Sequence, residues 1–193
     1  MDRLSSSTSP ATATSTGPVE QILLAGDSGV APEALKALFR DHPSGVTVIT
    51  ANSPDGPVAM TASSLFSISV TPPLIVFSAS ALSSSTSALL AADTVVVHLI
   101  DAECHDLAVL GATSGADRFA DPYRWAVLPT GEPFYLAPRR RVRGQVVKKV
   151  DAGAATLFVI HVIEAWNEDE ADGHPLVYHN RQWHVLSEHS RIA

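Results

Sequence analysis

The stretch of residues 45–77 constrains the fold of this chain more than any other part of it. It opens with a run of mostly β-branched residues, 46–50, which predicts a β-strand. A cluster of turn-forming residues, 52–57, follows and predicts a reversal of the chain. The next segment, 60–64, carries after Met60 only small or hydroxyl-bearing side chains, where a purely structural strand would carry bulk. Because small side chains let a ligand approach the backbone and hydroxyls supply hydrogen bonds, this segment predicts a ligand site.

The composition fits one globular domain. The chain has 193 residues, of which 46% are hydrophobic and 17% charged, and its formal net charge is −7. This charge argues against nucleic-acid binding, which favours a basic surface. No apolar run is long enough to span a bilayer and no signal-peptide pattern is present, so we expect a cytoplasmic location and no membrane. The single cysteine, Cys104, excludes an intramolecular disulfide and is expected to be a structural thiol.

The N-terminal part of the chain differs in composition from the rest. It contains a run rich in Ser, Thr, Ala and Pro that shows no apolar periodicity. Such a segment cannot bury enough apolar surface to offset the entropy lost on ordering. We therefore expect a disordered tail over 1–30 and one folded domain over 31–188.

A short helix is predicted over 32–40, where a proline stands in the first turn. Leu35, Leu38 and Phe39 fall on one face at helical spacing, and we expect that face to lie in the core.

Several further elements are predicted along the chain. The apolar run 94–100 predicts a strand, and its His98 is expected to be a hydrogen-bonded core or sheet-face histidine rather than a catalyst. A helix is predicted over 103–110. The segments 142–150 and 155–164 predict the two strands of a hairpin.

The basic residues 139–141, 143, 148 and 149 form a cluster that has two interpretations. The favoured one is a solvated strand edge. The alternative is attraction of a phosphate-bearing ligand, since both Arg and Lys bind phosphates well.

The serine-rich segment 83–86 precedes a helix predicted over 87–92, with a hydroxyl capping its front. A serine-rich loop that enters a helix offers hydroxyls and free N–H groups to an anion. An ordinary flexible loop is the alternative interpretation.

The motifs of the opening stretch resemble the flavin reductase-like family, whose members carry an FMN-binding split barrel. The matching segments are GVTVIT at 45–50, MTASS at 60–64, SIS at 67–69 and PPL at 72–74. The resemblance extends over about residues 39–186. It implies a mainly β protein with short helices (α+β), a split β-barrel and a homodimer.

The resemblance also implies where a flavin binds. DRFA at 117–120 matches a short family segment, although a core phenylalanine and a surface arginine explain Phe119 and Arg118 equally well. The flavin contacts implied are Met60, Thr61, Ala62, Ser63, Ser64, Ser67, Ser69, Ser83, Ser84, Ser85, Thr86, Arg118 and Phe119.

The chain departs from the family pattern at the predicted hairpin turn. The usual Gly-Asp-His is replaced by Gly153, Ala154 and Ala155. In the family this histidine is associated with the nicotinamide and flavin side of the pocket. His161 lies six residues on, roughly 20 Å further along a strand, and cannot simply replace it. The serine-rich loop also lacks the lysine or arginine that many family members have there.

Four histidines near the C-terminus raise the question of a metal site: His174, His179, His184 and His189. Their spacing of about five residues does not bring the ring nitrogens together on one helix or strand, so no metal is expected.

The favoured function is an NAD(P)H-dependent flavin reductase that supplies reduced FMN or FAD to a partner monooxygenase. Such a reaction requires little of the protein beyond the placement of two planar rings. The alternative is a flavin-binding carrier or accessory protein without turnover, which the altered turn favours. A barrel without cofactor would leave the hydroxyl-rich stretch unexplained. The chain has neither a G-x-S-x-G elbow nor a G-x-G-x-x-G loop, which argues against an α/β-hydrolase and a Rossmann site.

Overall fold

The computed structural model describes residues 20–21, 29–167 and 173–192. The strands are β1 (Glu20–Gln21), β2 (Ser44–Gly45), β3 (Thr47–Ser53), β4 (Gly56–Ala62), β5 (Phe66–Ser69), β6 (Leu74–Ser80), β7 (Thr94–Leu99), β8 (Trp125–Val127), β9 (Pro133–Tyr135), β10 (Arg140–Asp151), β11 (Ala155–Asn167), β12 (Leu176–His179) and β13 (Gln182–Val185). The α-helices are α1 (Pro32–Arg40), α2 (Thr86–Ala91) and α3 (His105–Ala112), and 3-10 helices cover Ala102–Cys104 and Glu188–Ser190. The predicted mainly β fold with short helices is confirmed.

Eight strands form one sheet in the order β4-β3-β7-β10-β11-β6-β5, with β1 pairing with the end of β10. The neighbours along this order are antiparallel. Two small sheets have the orders β13-β12-β2 and β8-β9. The predicted reversal at 52–57 is the β3–β4 turn, and the predicted hairpin is β10–β11. Of the predicted tail, 1–19 and 22–28 lie outside the described residues.

Among the described residues, the core consists of two apolar clusters, and β3 contributes to both. Ile49 belongs to a cluster with Phe77 and Phe158, whose rings stack at 4.9 Å. Val48 belongs to the other, with Leu107 of α3. Because successive side chains of a strand point to opposite faces, β3 is buried on both sides. This burial explains its continuous apolar run.

Helix α1 has the predicted bounds, but the prediction that its apolar face lies in the core is wrong. Leu35, Leu38 and Phe39 are 48%, 71% and 64% exposed, and no residue of the helix is buried. Helical spacing identifies which face is apolar but does not specify what covers it. The chain itself leaves this face open to solvent.

Arg140, Arg141 and Arg143 do not lie on a sheet edge, because this part of β10 pairs with β7 on one side and β11 on the other. For these arginines the solvated-edge interpretation is wrong. Lys148 and Lys149 lie beyond Gln145, the last residue of β10 that pairs with β7. Arg143 donates to Glu132 at 2.7 Å and to Glu164 at 3.0 Å, and Arg140 donates to Asp101 at 2.5 Å. The other basic side chains of this strand have the following partners: the rings of Phe134 and Trp166 for Arg141, Glu20 for Lys148, and the carbonyls of Leu90 and Ala92 for Lys149.

No helix in the described part of the chain is long and apolar enough to cross a membrane.

The close approach of α3 to β4 depends on Gly111. A Cβ atom added there would collide with Oγ1 of Thr61 and lie 3.0 Å from its backbone nitrogen. Helix propensity alone predicts that Gly111→Ala stabilises the protein by about 0.5–1 kcal/mol. We expect instead a loss of about 1–3 kcal/mol in the free energy of unfolding, because α3 must move away from β4. Urea denaturation measures the change, and a gain in stability would contradict the packing argument.

Candidate functional site

The hydroxyl-rich segment 60–64 covers the end of β4 and the start of its connection to β5. Oγ1 of Thr61 donates to the carbonyl of Ala108 in α3 at 2.6 Å. Oγ of Ser85, in the serine-rich loop, donates to the carbonyl of Ala59 at 3.0 Å. These two bonds hold β4 between α3 and the loop that leads into α2. The two bonds thereby bring α3 and the serine-rich loop, which are distant from each other in sequence, to the same strand.

Ser64 fixes the exit from β4 against β6. Its hydroxyl donates to the carbonyl of Ser78 at 3.1 Å and accepts the N–H of the same residue at 2.9 Å. Strand β5 then pairs with β6 through a bulge between Ser67 and Ser69. A bulge changes the direction in which side chains point, and here Ser67 is exposed while Ser69 is half-buried.

The serine-rich loop is held by its own hydroxyls. Ser85 and Thr86 are buried, and Oγ1 of Thr86 donates to the carbonyl of Ser80 at 2.7 Å. Helix α2 begins at Thr86, and Ser85 at its N-cap uses its hydroxyl on β4 rather than on the helix. The predicted hydroxyl cap is therefore wrong. Ser83 is half-buried and Ser84 is exposed.

Phe119 and Arg118 make extensive contacts within the chain. The ring of Phe119 stacks on that of Tyr135, with a centroid distance of 5.5 Å and an interplanar angle of 6°. The Tyr135 hydroxyl donates to the carbonyl of Arg118 at 2.7 Å. The Arg118 guanidinium donates to the carbonyls of Gly111 and Thr113 at the end of α3, where a cation also complements the helix dipole. These contacts give both side chains a structural role, and their contact with flavin stays a prediction.

His98 in turn positions Tyr135. It is the hydrogen-bonded core histidine that the sequence predicts. Nδ1 of His98 lies 2.9 Å from the carbonyl of Val48, and Nε2 accepts the backbone N–H of Tyr135 at 3.0 Å. A carbonyl can only accept, so Nδ1 carries the proton and the ring is neutral. Burial lowers the pKa of His98 to about 4. The hydrogen bond to Val48 acts in the opposite direction, but its effect on the pKa is smaller. Burial likewise raises the pKa of Tyr135 to about 12.

The predicted flavin residues divide into three groups. Seven of them make hydrogen bonds or ring contacts within the chain, namely Thr61, Ser64, Ser83, Ser85, Thr86, Arg118 and Phe119. Met60 and Ala62 are buried in the apolar core. In the described part of the chain, four predicted hydroxyls have no hydrogen-bond partner, namely those of Ser63, Ser67, Ser69 and Ser84. Free hydroxyls among small side chains fit the polar chain and phosphate of a flavin, so the donor set is suitable for it. Whether each residue contacts flavin stays a prediction.

The altered turn at Gly153 lies beside the serine-rich loop. The N–H of Ala81 donates to the carbonyl of Ala154 at 3.0 Å, and Ala155 pairs with Ser80 across β11 and β6. The position therefore adjoins the predicted flavin segments, but Ala154 and Ala155 bring no ionisable group to it.

Two of the C-terminal histidines, His179 and His184, lie side by side with ring centroids 5.5 Å apart. Nε2 of His179 lies 3.0 Å from Oδ1 of Asp41, and Nδ1 of His174 lies 3.4 Å from Oε1 of Glu103. Over the ranges that the structure describes, no group of three or more His, Cys, Asp or Glu side chains could hold a metal ion.

One cleft combines a predicted site residue with residues that the sequence did not suggest. It has a volume of about 300 Å³ and is named the cationic cleft after its lining by Lys36, Phe39, Arg40, His42, Ser44, Ser63, Tyr178, His179, Asn180 and Arg181. Sequence reasoning missed it because α1 and the β12–β13 turn meet only in the folded chain. A larger cleft of about 610 Å³ is lined by 173–175, 186–188, 190 and 191 and includes none of the predicted flavin residues.

Comparison with known proteins identifies the family of this fold. Residues 39–187 match the model of the flavin reductase like domain. The chain belongs to the flavin reductase-like family. The resemblance noted over about 39–186 is thus confirmed.

Relatives of this flavin reductase-like protein include an oxidoreductase. An NADH:FMN oxidoreductase of Rhodococcus qingshengii is 38% identical over 159 residues, which cover 81% of this chain and 83% of the relative. A flavin reductase domain protein from Arthrobacter sp. FB24 is 28% identical with a TM-score of 0.74, covering 80% of this chain and 95% of that one. BorF, the flavin reductase component of a bacterial two-component tryptophan halogenase, is 28% identical with a TM-score of 0.71. The match covers 82% of this chain and 99% of BorF.

The lowered pKa of His98 predicts an acid-sensitive fold. As the pH falls from about 6.5 towards about 4, the unfolded chain binds a proton at His98 that the folded chain does not. The free energy of unfolding should therefore fall by about 3 kcal/mol across this window. His98→Gln removes this titration, so the free energy of unfolding of the variant should depend less steeply on pH. At neutral pH the variant should be less stable than the parent protein. Denaturant unfolding between pH 7 and 4 tests this, with His189→Gln as the exposed control. Equal slopes for the parent protein and His98→Gln would refute the assignment.

Proposed function

We propose that this chain is a flavin reductase that takes a hydride from NADH or NADPH and delivers it to FMN or FAD. The observation that carries the proposal is the 38% identity with an NADH:FMN oxidoreductase over 159 residues. The hydroxyls that have no partner among the described residues lie after β4, on β5 and in the serine-rich loop, and they agree with the proposal because they offer hydrogen bonds to a flavin.

In this proposal the protein holds and orients its substrates. Ser63, Ser67, Ser69 and Ser84 bind the flavin through their free hydroxyls, and Phe119 borders the site. When bound, flavin supplies the redox chemistry by accepting a hydride from the reduced nicotinamide. The chain's own part is to bring the two rings together and to exclude water, which requires no acid or base. The two alanines at 154 and 155 are compatible with that role.

We also propose that the strands close into a split barrel and that the protein is a homodimer. Exposed apolar side chains support an interface: Leu35, Leu38 and Phe39 on α1, and Phe66 and Ile68 on the edge strand β5. Contiguous exposed apolar surface commonly marks an interaction site. The free, buried thiol of Cys104 fits a reducing compartment, so we place the protein in the cytoplasm.

A partner monooxygenase that consumes the reduced flavin completes the proposal. It rests on analogy with BorF, which is the reductase component of a two-component halogenase. A flavin carrier without turnover is the second candidate, and the observation in its favour is the turn Gly153-Ala154-Ala155, which lacks the histidine implied by the family pattern.

Anaerobic oxidation of NADH and NADPH by the purified protein, with FMN or FAD added, tests the function directly. We expect the absorbance of the oxidised flavin to disappear over many turnovers per protein. Flavin binding without turnover would favour the carrier. Neither binding nor turnover would contradict both functions.

Ser63 offers the sharpest test of the flavin site, because its hydroxyl is exposed and no contact of the fold depends on it. We expect Ser63→Leu to raise the dissociation constant of FMN about tenfold, equivalent to about 1.4 kcal/mol, with no loss of stability. Fluorescence titration of FMN measures the affinity. Asn52→Leu, an equally exposed change at the other end of the β3–β4 hairpin, is the control. Unchanged affinity in folded Ser63→Leu would remove Ser63 from the site.

A further inference from the structure

The cationic cleft forms where the last turn of α1 meets the turn between β12 and β13. The N–H of Asn180 donates to the carbonyl of Arg40 at 2.9 Å, and β12 pairs with β2. His179, at the end of β12, bonds the carboxylate of Asp41 at the end of α1. These contacts fix the two walls of the cleft relative to each other.

Three cations line this cleft without a partner. Among the residues that the structure describes, Lys36, Arg40, Arg139 and Arg181 are the basic side chains that form no hydrogen bond, ion pair or ring contact. All but Arg139 line the cleft. The carboxylate that follows α1, that of Asp41, is bonded to His179. Like charges held close together repel one another, so the cleft favours an anion.

The backbone of Arg181 gives an independent indication that its side chain is needed. Asn180 and Arg181 have φ angles of 49° and 61° and form the two-residue turn between β12 and β13. Such a turn, with both angles positive, favours asparagine at its first position and glycine at its second. The left-handed conformation is unfavourable for arginine. A long cation thus occupies a position where the backbone favours glycine, which points to a role for the side chain.

We propose that the cationic cleft binds a phosphate group of a nucleotide substrate. The proposal rests on the reductase function, since the donor and the flavin both bring phosphate to the protein. Guanidinium and ammonium groups are the side chains that bind phosphate oxygens most strongly. Ser63 lines the same cleft, so the phosphate binds beside the hydroxyl-rich segment. The serine-rich loop 83–86 contains no cation of its own.

Arg181→Gly tests the proposal with little risk to folding, because it removes one cation and relaxes the left-handed backbone. Arg139→Ala is the matched control, since it removes an exposed cation that does not line the cleft. Each protein is titrated with inorganic pyrophosphate by calorimetry at low ionic strength, where exposed charges are least screened. We expect the affinity of Arg181→Gly to be about tenfold weaker than that of the parent protein. The control should change by less than about twofold.

Two kinetic comparisons identify the source of the phosphate. NADH is compared with N-benzyl dihydronicotinamide, a hydride donor without phosphate, and FMN is compared with riboflavin. If the cleft binds the dinucleotide, Arg181→Gly raises the KM of NADH about tenfold and leaves the phosphate-free donor unaffected. If it binds the flavin phosphate, the KM of FMN rises and that of riboflavin does not.

The proposal is overturned if the parent protein does not bind pyrophosphate. It is also overturned if Arg181→Gly and Arg139→Ala weaken binding equally, because general surface charge would then explain the effect. A failure of both donors to reduce flavin would contradict the reductase function instead. The pyrophosphate titration would still decide whether the cleft binds phosphate.

Discussion

The hydroxyl of Thr61 donates to the carbonyl of Ala108, and this bond holds α3 on β4 at the close distance that Gly111 permits. A polar side chain removed from water must find a hydrogen-bond partner, or its burial costs free energy. Here the main chain provides the partners. Ser85 bonds the carbonyl of Ala59, and Ser64 bonds the main chain of β6. Each bond joins β4 or its exit to a neighbouring element, so the hydroxyl-rich segment organises its own surroundings and the remaining hydroxyls are free for a ligand.

The same requirement connects the core with the candidate site. His98 bonds the carbonyl of Val48 through one nitrogen and the N–H of Tyr135 through the other, which is possible only for the neutral ring. Tyr135 then bonds the carbonyl of Arg118 and stacks on Phe119. The position of a predicted site residue therefore depends on the protonation of a histidine in β7. Nothing in the local sequence of 117–120 indicates this dependence.

Local patterns in the sequence were sufficient to predict the strands around the site, the β3–β4 reversal, the β10–β11 hairpin and the bounds of α1, because turn residues and β-branched runs act over a few positions. Predictions that depended on neighbours in space were wrong. The apolar face of α1 is exposed, and the arginines of β10 lie on an interior part of the sheet. The cationic cleft could not be predicted, because Lys36 and Arg181 come from opposite ends of the domain and meet only through the pairing of β2 with β12. The hydroxyl-rich segment was recognisable from its run of small and hydroxyl-bearing residues. The sequence could not show which serines bond within the fold, as Ser64 does, and which stay free, as Ser63 does, because both are the same residue type.

Hydride transfer between two bound rings makes recognition, rather than acid–base chemistry, the main task of such a site. Recognition is demanding for this protein because its net charge of −7 repels phosphate-bearing substrates. The arginines of β10 cannot offset this repulsion, because Arg140 and Arg143 are paired with carboxylates of the fold. The unpaired cations of α1 and the β12–β13 turn remain available, and they lie next to Ser63. A local group of positive charges at the edge of the hydroxyl-rich segment would attract and orient a phosphate while the rest of the surface stays acidic.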